Sequence, residues 1–502
     1  MKIPFPKRIA PWHAGIFAAL LCLIEILQGT QPVFAAGVFI YIVAATIAFN
    51  LAGGMNRPTG AFVMANAMLC LIIGQCVKVI LGEPADSNLG APLLTIAVYC
   101  GGMLSILAGV ALSRRFLPEK ALLERGDQDS RMSQIAITCT LLGISSGFIL
   151  AVIGNAPGSI GAIFQQFGQF LPLGMLIAVY DCIRRSNGRK SINTIFVLGA
   201  LFTILNGGIL GTSKQALFTP IACYVIVCGA LRYRFKPVNI AAFACILFVV
   251  VYYLVPYSQV VRNYTRTIGT YSEQIDAAEY WLSHIDAVRA EYTQANEDTA
   301  ITYGPHYFTQ SSAFLERLTM IVIDDRLIDV TQERGFEGPR PLIVGAENII
   351  PHFIWAGKPD FVFNNSYAHE VGVLSEDDFN TSVSFSSSAD AYHELGWAGV
   401  FLVMPILLGL MFYVVDAISG DVSHSPWGLT YTVLFFHAAP EMLLGIAFNV
   451  CTTFTFIVLV TAYAARYVFP LLGSFVVPER RKLAVVRALR TPAPPAAAPP
   501  SA

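Results

Sequence analysis

Apolar runs of about 20 residues recur along this chain, and a helix of that length crosses the roughly 30 Å hydrocarbon core of a bilayer. Charged residues make up only 13% of its 502 residues, against roughly 25% in soluble domains. A bilayer is therefore the expected solvent, and helices are the structures that satisfy backbone hydrogen bonds within it. The predicted fold class is an all-α polytopic integral membrane protein.

Twelve membrane-spanning helices are predicted from these runs. Pro220 and Pro440 interrupt two of them, and the backbone groups that a membrane proline frees need local partners. A cleaved signal peptide is the alternative for the first span, but Glu25 lies inside its apolar run and a second span follows directly. The predicted spans cover residues 13–30, 33–53, 62–82, 92–112, 133–154, 163–183, 192–210, 216–231, 237–256, 397–415, 427–446 and 448–468.

The basic residues predict the orientation of these spans. If the N-terminus is cytoplasmic, 22 of the 32 Lys and Arg residues lie in cytoplasmic loops or tails, as the positive-inside rule requires. Both termini are therefore predicted to be cytoplasmic. The chain divides into about nine spans (1–256), one extracytoplasmic loop (257–396), about three further spans (397–470) and a basic, then Pro/Ala-rich, tail (471–502).

The loop of 140 residues is strongly acidic, with 21 Asp and Glu against 8 Lys and Arg. Apolar residues recur at helical spacing over 272–296, and a second helix is predicted to begin at Ser311 or Ser312. Turn-forming residues are frequent over 334–385, which predicts a folded segment without regular elements. Residues 386–388 are all serine and are predicted to cap a helix that continues into the membrane.

Candidate residues for proton transfer lie at the start of this helix. Asp390, His393, Glu394 and Trp397 are spaced three or four apart, so they share one helix face at the bilayer surface. Histidine titrates near physiological pH, and a carboxylate in a partly dry site can accept a proton from an attacking hydroxyl. The structural alternative is an interfacial helix end whose polar side chains meet lipid headgroups.

The acidic loop contains few cations, and several of them are close to the membrane. Arg262 and Arg266 follow the ninth span directly, and Arg317 and Lys358 lie further along the loop. A guanidinium matches phosphate oxygens in a bidentate fork, so these residues are candidates to bind a diphosphate headgroup. The alternative for each is an ion pair with a loop carboxylate, or a side chain that extends from a helix end to the membrane surface.

Other ionisable residues lie within the apolar runs. His437 and Glu441 flank a proline near the end of a predicted span, where they either act in chemistry or line a cavity. Glu25, Lys78 and Asp181 are nearer to helix ends and are expected to be solvated.

No nucleotide-binding, zinc-protease or nucleophile-elbow motif occurs in the sequence. The adjacent Asp324 and Asp325 lack the spacing of a metal-binding DxD pair and are predicted to lie in a solvated turn. The ten cysteines lie in or beside apolar segments, so they are expected to be small buried hydrophobes without a disulfide framework.

Two segments resemble the oligosaccharide repeat-unit polymerases, also called O-antigen or Wzy-type polymerases. They are ENIIPHFIWAGKPD (347–360) and SFSSSADAYHELGWAGVFL (384–402). GTSKQALF (211–218) is similar to a basic segment of that family. The chain departs from the family at His352, where relatives often carry arginine. Phe385 stands where the related O-antigen ligases carry histidine. The matching positions are Pro351, Trp355, Lys358 and Pro359 in the first segment, and Tyr392, Glu394, Gly396 and Gly399 in the second.

The resemblance implies a metal-independent, inverting glycosyl transfer without a cofactor, at the outer face of a bacterial cytoplasmic membrane. Its partners would be undecaprenyl-diphosphate-linked oligosaccharides, membrane lipids and a chain-length regulator, with no nucleic acid. The base would be His393 or Glu394. The expected diphosphate ligands are Arg262, Arg317, Lys214 and Lys358, and the expected glycan ligands are Trp355 and Tyr392.

Three alternatives remain open. A ligase would move a finished glycan to another carrier with the same donor and topology. A transporter or flippase for lipid-linked oligosaccharides would show internal repeats and sites near the bilayer midplane. A non-catalytic scaffold would use the large loop to bind partner proteins.

Overall fold

The computed structural model describes residues 2–123, 131–153, 164, 167–265, 270–302, 306–309, 313–316, 318–350, 354–355, 363–374, 378 and 382–469. Over these ranges the protein is helical and has no β-strand beyond a single bridge between Lys2 and Arg234. In chain order we number the helices α1 to α18. They are Pro11–Leu27, Pro32–Ala52, Pro58–Leu81, Pro92–Phe116, Met132–Ile153, Phe170–Arg185, Thr194–Leu210, Lys214–Ala230, Pro237–Thr265, Tyr271–Ser283, Ile285–Thr302, Ala313–Glu316, Ile321–Arg334, Arg340–Glu347, Phe363–Glu370, Ser387–Ser419, Pro426–Ala438 and Ile446–Tyr467.

Seven of the described helices are long and apolar enough to cross a membrane: α2, α3, α4, α5, α9, α16 and α18. Each coincides with one of the twelve predicted spans. The prediction of a helical membrane protein with several spans is therefore confirmed. The other five predicted spans coincide with the shorter helices α1, α6, α7, α8 and α17. Whether these five cross the bilayer stays a prediction.

Glycine residues let the two central helices α4 and α16 approach closely. A Cβ atom built on Gly109 of α4 would lie 3.1 Å from the backbone nitrogen of Gly409 in α16. The Ser105 hydroxyl of α4 also donates a hydrogen bond of 2.6 Å to the carbonyl of Val400. Small residues and interhelical hydrogen bonds of this kind drive helix association where lipid removes the hydrophobic contribution.

The helices α10 to α15 lie at one end of the helix bundle, which we call the loop side. Thr309, in the chain between α11 and α12, donates its backbone N–H to Glu83 directly after α3. Tyr271 of α10 likewise donates to Asn206 near the end of α7, at 3.4 Å. These contacts attach the loop region to the ends of α3 and α7.

The opposite end of the bundle carries arginine residues. Arg114 at the end of α4 pairs with the buried Asp416 at 3.2 Å, and Arg184 at the end of α6 donates to the Ser423 carbonyl. The basic residues predicted to share one side of the membrane thus include one that meets the end of α16 and one that meets the loop between α16 and α17.

The start of α16 confirms the predicted serine cap. Ser386 is the N-cap residue, and its hydroxyl accepts a hydrogen bond from the Ala389 backbone N–H. The structure corrects two other predictions for the loop. The helix expected over 272–296 is broken at His284 into α10 and α11. The short helices α14 and α15 lie in the segment for which no regular elements were expected. Ser311 and Ser312 lie outside the described residues.

The prediction of a solvated turn at Asp324 and Asp325 is wrong. Both residues lie on α13 and are almost fully buried. Asp325 accepts hydrogen bonds from the backbone N–H groups of Gly90 and Ala91, and from the hydroxyl of Thr95. A carboxylate at this position satisfies free N–H groups at the start of α4. The pair therefore fastens the loop region to a membrane helix.

Glu25, Lys78 and Asp181 are also buried, contrary to the expectation that they are solvated. Lys78 donates to Glu83 at 2.8 Å, and Asp181 accepts from Arg185 at 2.7 Å. Partners supplied by neighbouring residues replace water for these two side chains, which is how buried charge is tolerated. The two carboxylate oxygens of Glu25 have no hydrogen-bond partner among the described residues.

Candidate active site

Two carboxylates fix the start of α16, one on the neighbouring helix α13 and one on α16 itself. Asp324 of α13 accepts a hydrogen bond from the backbone N–H of Ser386 at 2.9 Å. Asp390, one turn into α16, accepts from the backbone N–H of Leu444 at 2.7 Å. These contacts hold α16 between the loop region and the segment that joins α17 to α18. The side chains that follow on α16 are therefore set in a rigid environment.

Helix α16 is kinked at Gly396, two residues after Glu394. Gly396 has φ +62° and ψ −145°, a conformation that side chains with a Cβ rarely adopt. The kink frees the carbonyls of His393 and Glu394, which accept hydrogen bonds from the backbone N–H groups of Glu337 and Gly338 at 3.0 and 2.9 Å. The chain after α13 thereby replaces the lost helical hydrogen bonds, as buried backbone groups require.

Glu394 lines a small pocket at the loop side. The pocket has a volume of about 200 Å³, which is enough for a few water molecules. Its wall includes residues of α14, α15, α16 and the start of α18, and three asparagines, Asn348, Asn364 and Asn449, are among the lining residues. We call it the Glu394 pocket. Carboxamides donate and accept hydrogen bonds, so this wall suits a ligand rich in hydroxyl groups.

The carboxylate of Glu394 is buried and unpartnered. Its residue is 1% exposed, and neither carboxylate oxygen has a hydrogen-bond partner among the described residues. A buried polar group without a partner costs free energy, and such groups in native structures call for an explanation such as catalysis or ligand binding. Glu394 is therefore the strongest candidate for chemistry in this pocket.

His393 lies beside this pocket rather than in its wall. Its Nδ1 is 2.8 Å from the hydroxyl of Thr331, and its ring packs edge-on against Tyr367 at 4.7 Å. Nε2 lies 3.4 Å from a carboxylate oxygen of Glu370 but has no hydrogen-bond partner among the described residues. Burial lowers the pKa of His393 to about 4, so its ring is neutral at pH 7. Burial, followed by repulsion from Glu337, raises the pKa of Glu370. The contact between Nδ1 and Thr331 therefore places His393 to hold α16 against α13.

A larger, apolar cavity of about 450 Å³ lies among α6, α8, α17 and α18. Lys214, Gln215 and His437 line it towards the loop side, and Trp427 and Thr461 line it nearer the opposite end. We call it the Lys214 cavity. Lys214 is the first residue of α8, whose N-cap hydroxyl on Ser213 accepts from the Ala216 N–H. A cation and the positive end of a helix dipole thus meet at one end of an apolar space.

The remaining predicted ligands are dispersed or not described. Arg262 is exposed on α9, and Trp355 is 37% exposed. Tyr392 is buried against Phe336 and Trp397, with ring centroids 5.9 and 5.4 Å away. The predictions for Arg317, Lys358 and His352 lie outside the described residues.

The structure brings His393 and Glu394 together, as neighbours on α16, but it places Lys214 in a different cavity. Residues 443–449 contribute to the Glu394 pocket, whereas residues 454–461 contribute to the Lys214 cavity. The stretch 443–461 therefore contributes residues both to the wall of the Glu394 pocket and to the wall of the Lys214 cavity. Glu441, the other ionisable residue flanking Pro440, accepts a hydrogen bond from Ser384 at 3.0 Å.

Sequence reasoning missed the three asparagines of the Glu394 pocket and the tyrosine at position 367. Asn348 lies within the segment 347–360, but nothing in the local pattern distinguishes it from its neighbours. The pocket is assembled from four separate helices, and a single sequence does not show which of them meet.

Among the described residues, no group of three or more His, Cys, Asp or Glu side chains is placed to hold a metal ion. No family model, curated protein or solved structure matches this chain.

Proposed function

We propose that this protein is a membrane glycosyltransferase that polymerises lipid-diphosphate-linked oligosaccharide repeat units. The observation that carries the proposal is the buried carboxylate of Glu394, which has no hydrogen-bond partner among the described residues and lies beside a pocket whose lining includes three asparagines. Such a pocket offers a proton acceptor together with hydrogen-bonding groups for sugar hydroxyls. The resemblance of residues 347–360 and 384–402 to repeat-unit polymerases adds to this support.

The reaction would be an inverting transfer with Glu394 as the base. Burial, followed by repulsion from Asp390 and Glu337, raises the pKa of Glu394, so the reactive form is the ionised fraction of this carboxyl, which grows as the pH rises. A hydroxyl of the acceptor repeat unit attacks the anomeric carbon of the donor glycan, and its proton passes to the Glu394 carboxylate. A carbon–oxygen bond forms to the acceptor, and the bond between the anomeric carbon and the diphosphate oxygen breaks. The lipid diphosphate leaves with the bonding electron pair. A positioned base contributes about 10²–10⁴-fold to such a step. His393 positions α16 in this scheme.

The leaving group requires cations, and the Lys214 cavity supplies one beside an apolar space. Its 450 Å³ would accommodate part of a polyprenyl chain, with the diphosphate at the loop side near Lys214. Arg262, Arg317 and Lys358 are the further cations proposed for the diphosphate. Trp355 and Tyr392 remain the proposed glycan contacts from the family resemblance.

The proposed location is a bacterial cytoplasmic membrane with twelve spans, both termini inside and the loop side outside. Lys and Arg in the loops opposite the loop side support this orientation. Lipid-linked repeat units presented at the outer leaflet would then reach Glu394. A peptide tag inserted after Glu376 should be reached by antibody on intact spheroplasts. Detection only after permeabilisation would reverse the orientation and defeat the proposal.

The direct genetic test is gel analysis of surface polysaccharide from a deletion strain. A polymerase deletion leaves single repeat units on the surface, whereas a ligase deletion leaves long chains on the lipid carrier. Loss of a transporter or flippase removes both forms from the surface. Long surface polymer in the deletion strain would contradict the proposed function, and complementation with the wild-type chain should restore the ladder.

A further inference from the structure

Four aromatic rings meet on the surface of the loop region. Tyr264 near the end of α9 stacks on Trp281 of α10, with ring centroids 4.7 Å apart and an angle of 29° between the rings. Tyr280 meets Trp281 edge-on at 5.1 Å, and the Tyr280 ring lies 4.6 Å from the ring of His284. We call these four residues the aromatic platform. They belong to neither of the two cavities described above.

The platform combines exposure with a fixed geometry. Tyr264 is 48% exposed and Tyr280 is 56% exposed. Beneath them, Trp281 packs against the buried cluster of α9 and α11. The Tyr264 hydroxyl donates to Glu291 of α11 at 2.9 Å. Rings that are already held in place lose little conformational entropy when a ligand binds.

The position of the platform separates it from the hydrocarbon core. About 20 residues of α9, counted from Pro237, suffice to cross the bilayer and end near Pro256. Tyr264 lies eight residues further along the same helix, which corresponds to about 12 Å at 1.5 Å per residue. The exposed rings are therefore too far along α9 to be covered by lipid chains.

The charged residues around the platform restrict the chemical class of ligand that it can bind. Residues 271–302 carry seven Asp and Glu side chains and one basic residue, Arg289. The guanidinium of Arg289 lies 3.6 Å from the ring centroid of Tyr252, on the membrane side of the platform. This acidic surface repels anionic lipid headgroups and polyanionic glycans, whereas its carboxylates accept hydrogen bonds from neutral hydroxyl groups.

We propose that the aromatic platform is a second glycan-binding site, specific for uncharged sugars. Sugar C–H groups would pack on the exposed faces of Tyr264 and Tyr280, because an aromatic face carries partial negative charge. Neighbouring carboxylates would accept hydrogen bonds from the sugar hydroxyls. The identification of the natural ligand as the growing polymer rests on the proposed function. The platform would hold that chain away from the Glu394 pocket while the next unit is added.

The test is a binding titration on the full chain in phosphatidylcholine nanodiscs. The probes are maltoheptaose, cellohexaose, mannohexaose and chitohexaose, with oligogalacturonate as the anionic comparison. The difference in fluorescence between wild type and Trp281→Phe isolates the signal of Trp281. We expect at least one neutral probe to give a saturable change and oligogalacturonate to give none. Tyr264→Ala and Tyr280→Ala should each weaken binding about tenfold, the equivalent of one lost stacking contact.

Leu282→Ala is the matched control, because Leu282 is a 38% exposed apolar residue of the same helix outside the ring contacts. It should bind as the wild type does. The proposal is overturned if no neutral probe binds, or if the tyrosine variants bind as tightly as the control. Quenching of Trp281 by brominated phosphatidylcholine would also overturn it, by assigning the platform to the membrane surface. This assay measures binding alone, so its outcome is independent of the deletion-strain gel that tests the proposed function.

Discussion

Tyr99 of α4 donates a hydrogen bond of 2.6 Å to Asp324 of α13, and both side chains are buried at the loop side. The same carboxylate accepts from the backbone N–H of Ser386, the N-cap residue of α16. A single carboxylate therefore joins a membrane helix, a loop helix and the helix that carries Glu394. The stability of this junction sets how well the candidate active site is held.

The junction predicts a specific pH dependence of stability. Burial raises the pKa of Asp324 to about 6, from 3.8 in the unfolded chain. Between these values the folded state binds more protons than the unfolded state, so the contribution of Asp324 to stability falls as the pH rises from about 4 to about 6. Thermal unfolding in detergent across this range should show that loss, and Asp324→Asn should remove it.

Asp286→Asn is the control for this measurement, because the Asp286 side chain is 91% exposed. It should keep the wild-type slope. A wild-type slope in Asp324→Asn as well would mean that other groups produce the pH dependence.

Gly396→Ala is predicted to destabilise the kink in α16. The new Cβ would lie 2.6 Å from a ring carbon of Phe336, in addition to the strain of a positive φ. We expect a loss of about 1–3 kcal/mol in the free energy of unfolding, seen as a lower unfolding midpoint in detergent. Adding Phe336→Ala should restore part of the lost stability, because that change removes the clash but not the backbone strain.

Gly15→Ala is the control, because no atom lies within 4 Å of the new Cβ. It should leave the midpoint unchanged or raise it. An unaffected Gly396→Ala would contradict the role of the kink.

Much of the fold was predictable because apolar length and serine capping are local signals. The seven longest apolar helices fall at predicted spans, and Ser386 caps α16 as expected. The burial of Asp324 and Asp325 was not predictable in the same way. It depends on Tyr99, Gly90 and helix α4, which are more than two hundred residues distant in the chain, and adjacent acids alone are typical of solvated turns.

The candidate site was predictable in part for the same reason. His393 and Glu394 were found because they stand at a helix start that enters the membrane. Their different surroundings arise from tertiary contacts: Thr331 and Glu370 face His393, whereas Glu394 lines a pocket and its carboxylate has no hydrogen-bond partner among the described residues. The sequence alone therefore left two candidate bases, and the geometry favours Glu394.

Lys214→Ala is predicted to reduce polymer formation, because the cavity would lose the cation proposed to stabilise the leaving diphosphate. We expect about a tenfold lower rate, the equivalent of about 1.4 kcal/mol, with Lys214→Arg retaining most of the activity. The measurement is chain length and yield on gels of surface polysaccharide at matched protein levels. Lys236→Ala, an exposed lysine before α9, is the control. Normal polymer in Lys214→Ala would remove Lys214 from the mechanism.

The most direct test of the central claim is polymerisation by purified protein in nanodiscs, with lipid-diphosphate-linked repeat units as the only sugar source. The wild type should produce a ladder of lengthening chains without added nucleotide sugar. Glu394→Gln should reduce the rate by about 10²–10⁴-fold while keeping the wild-type unfolding midpoint, and the exposed Glu333→Gln should match the wild type. No ladder from the wild type, or an equal ladder from Glu394→Gln, would contradict the account.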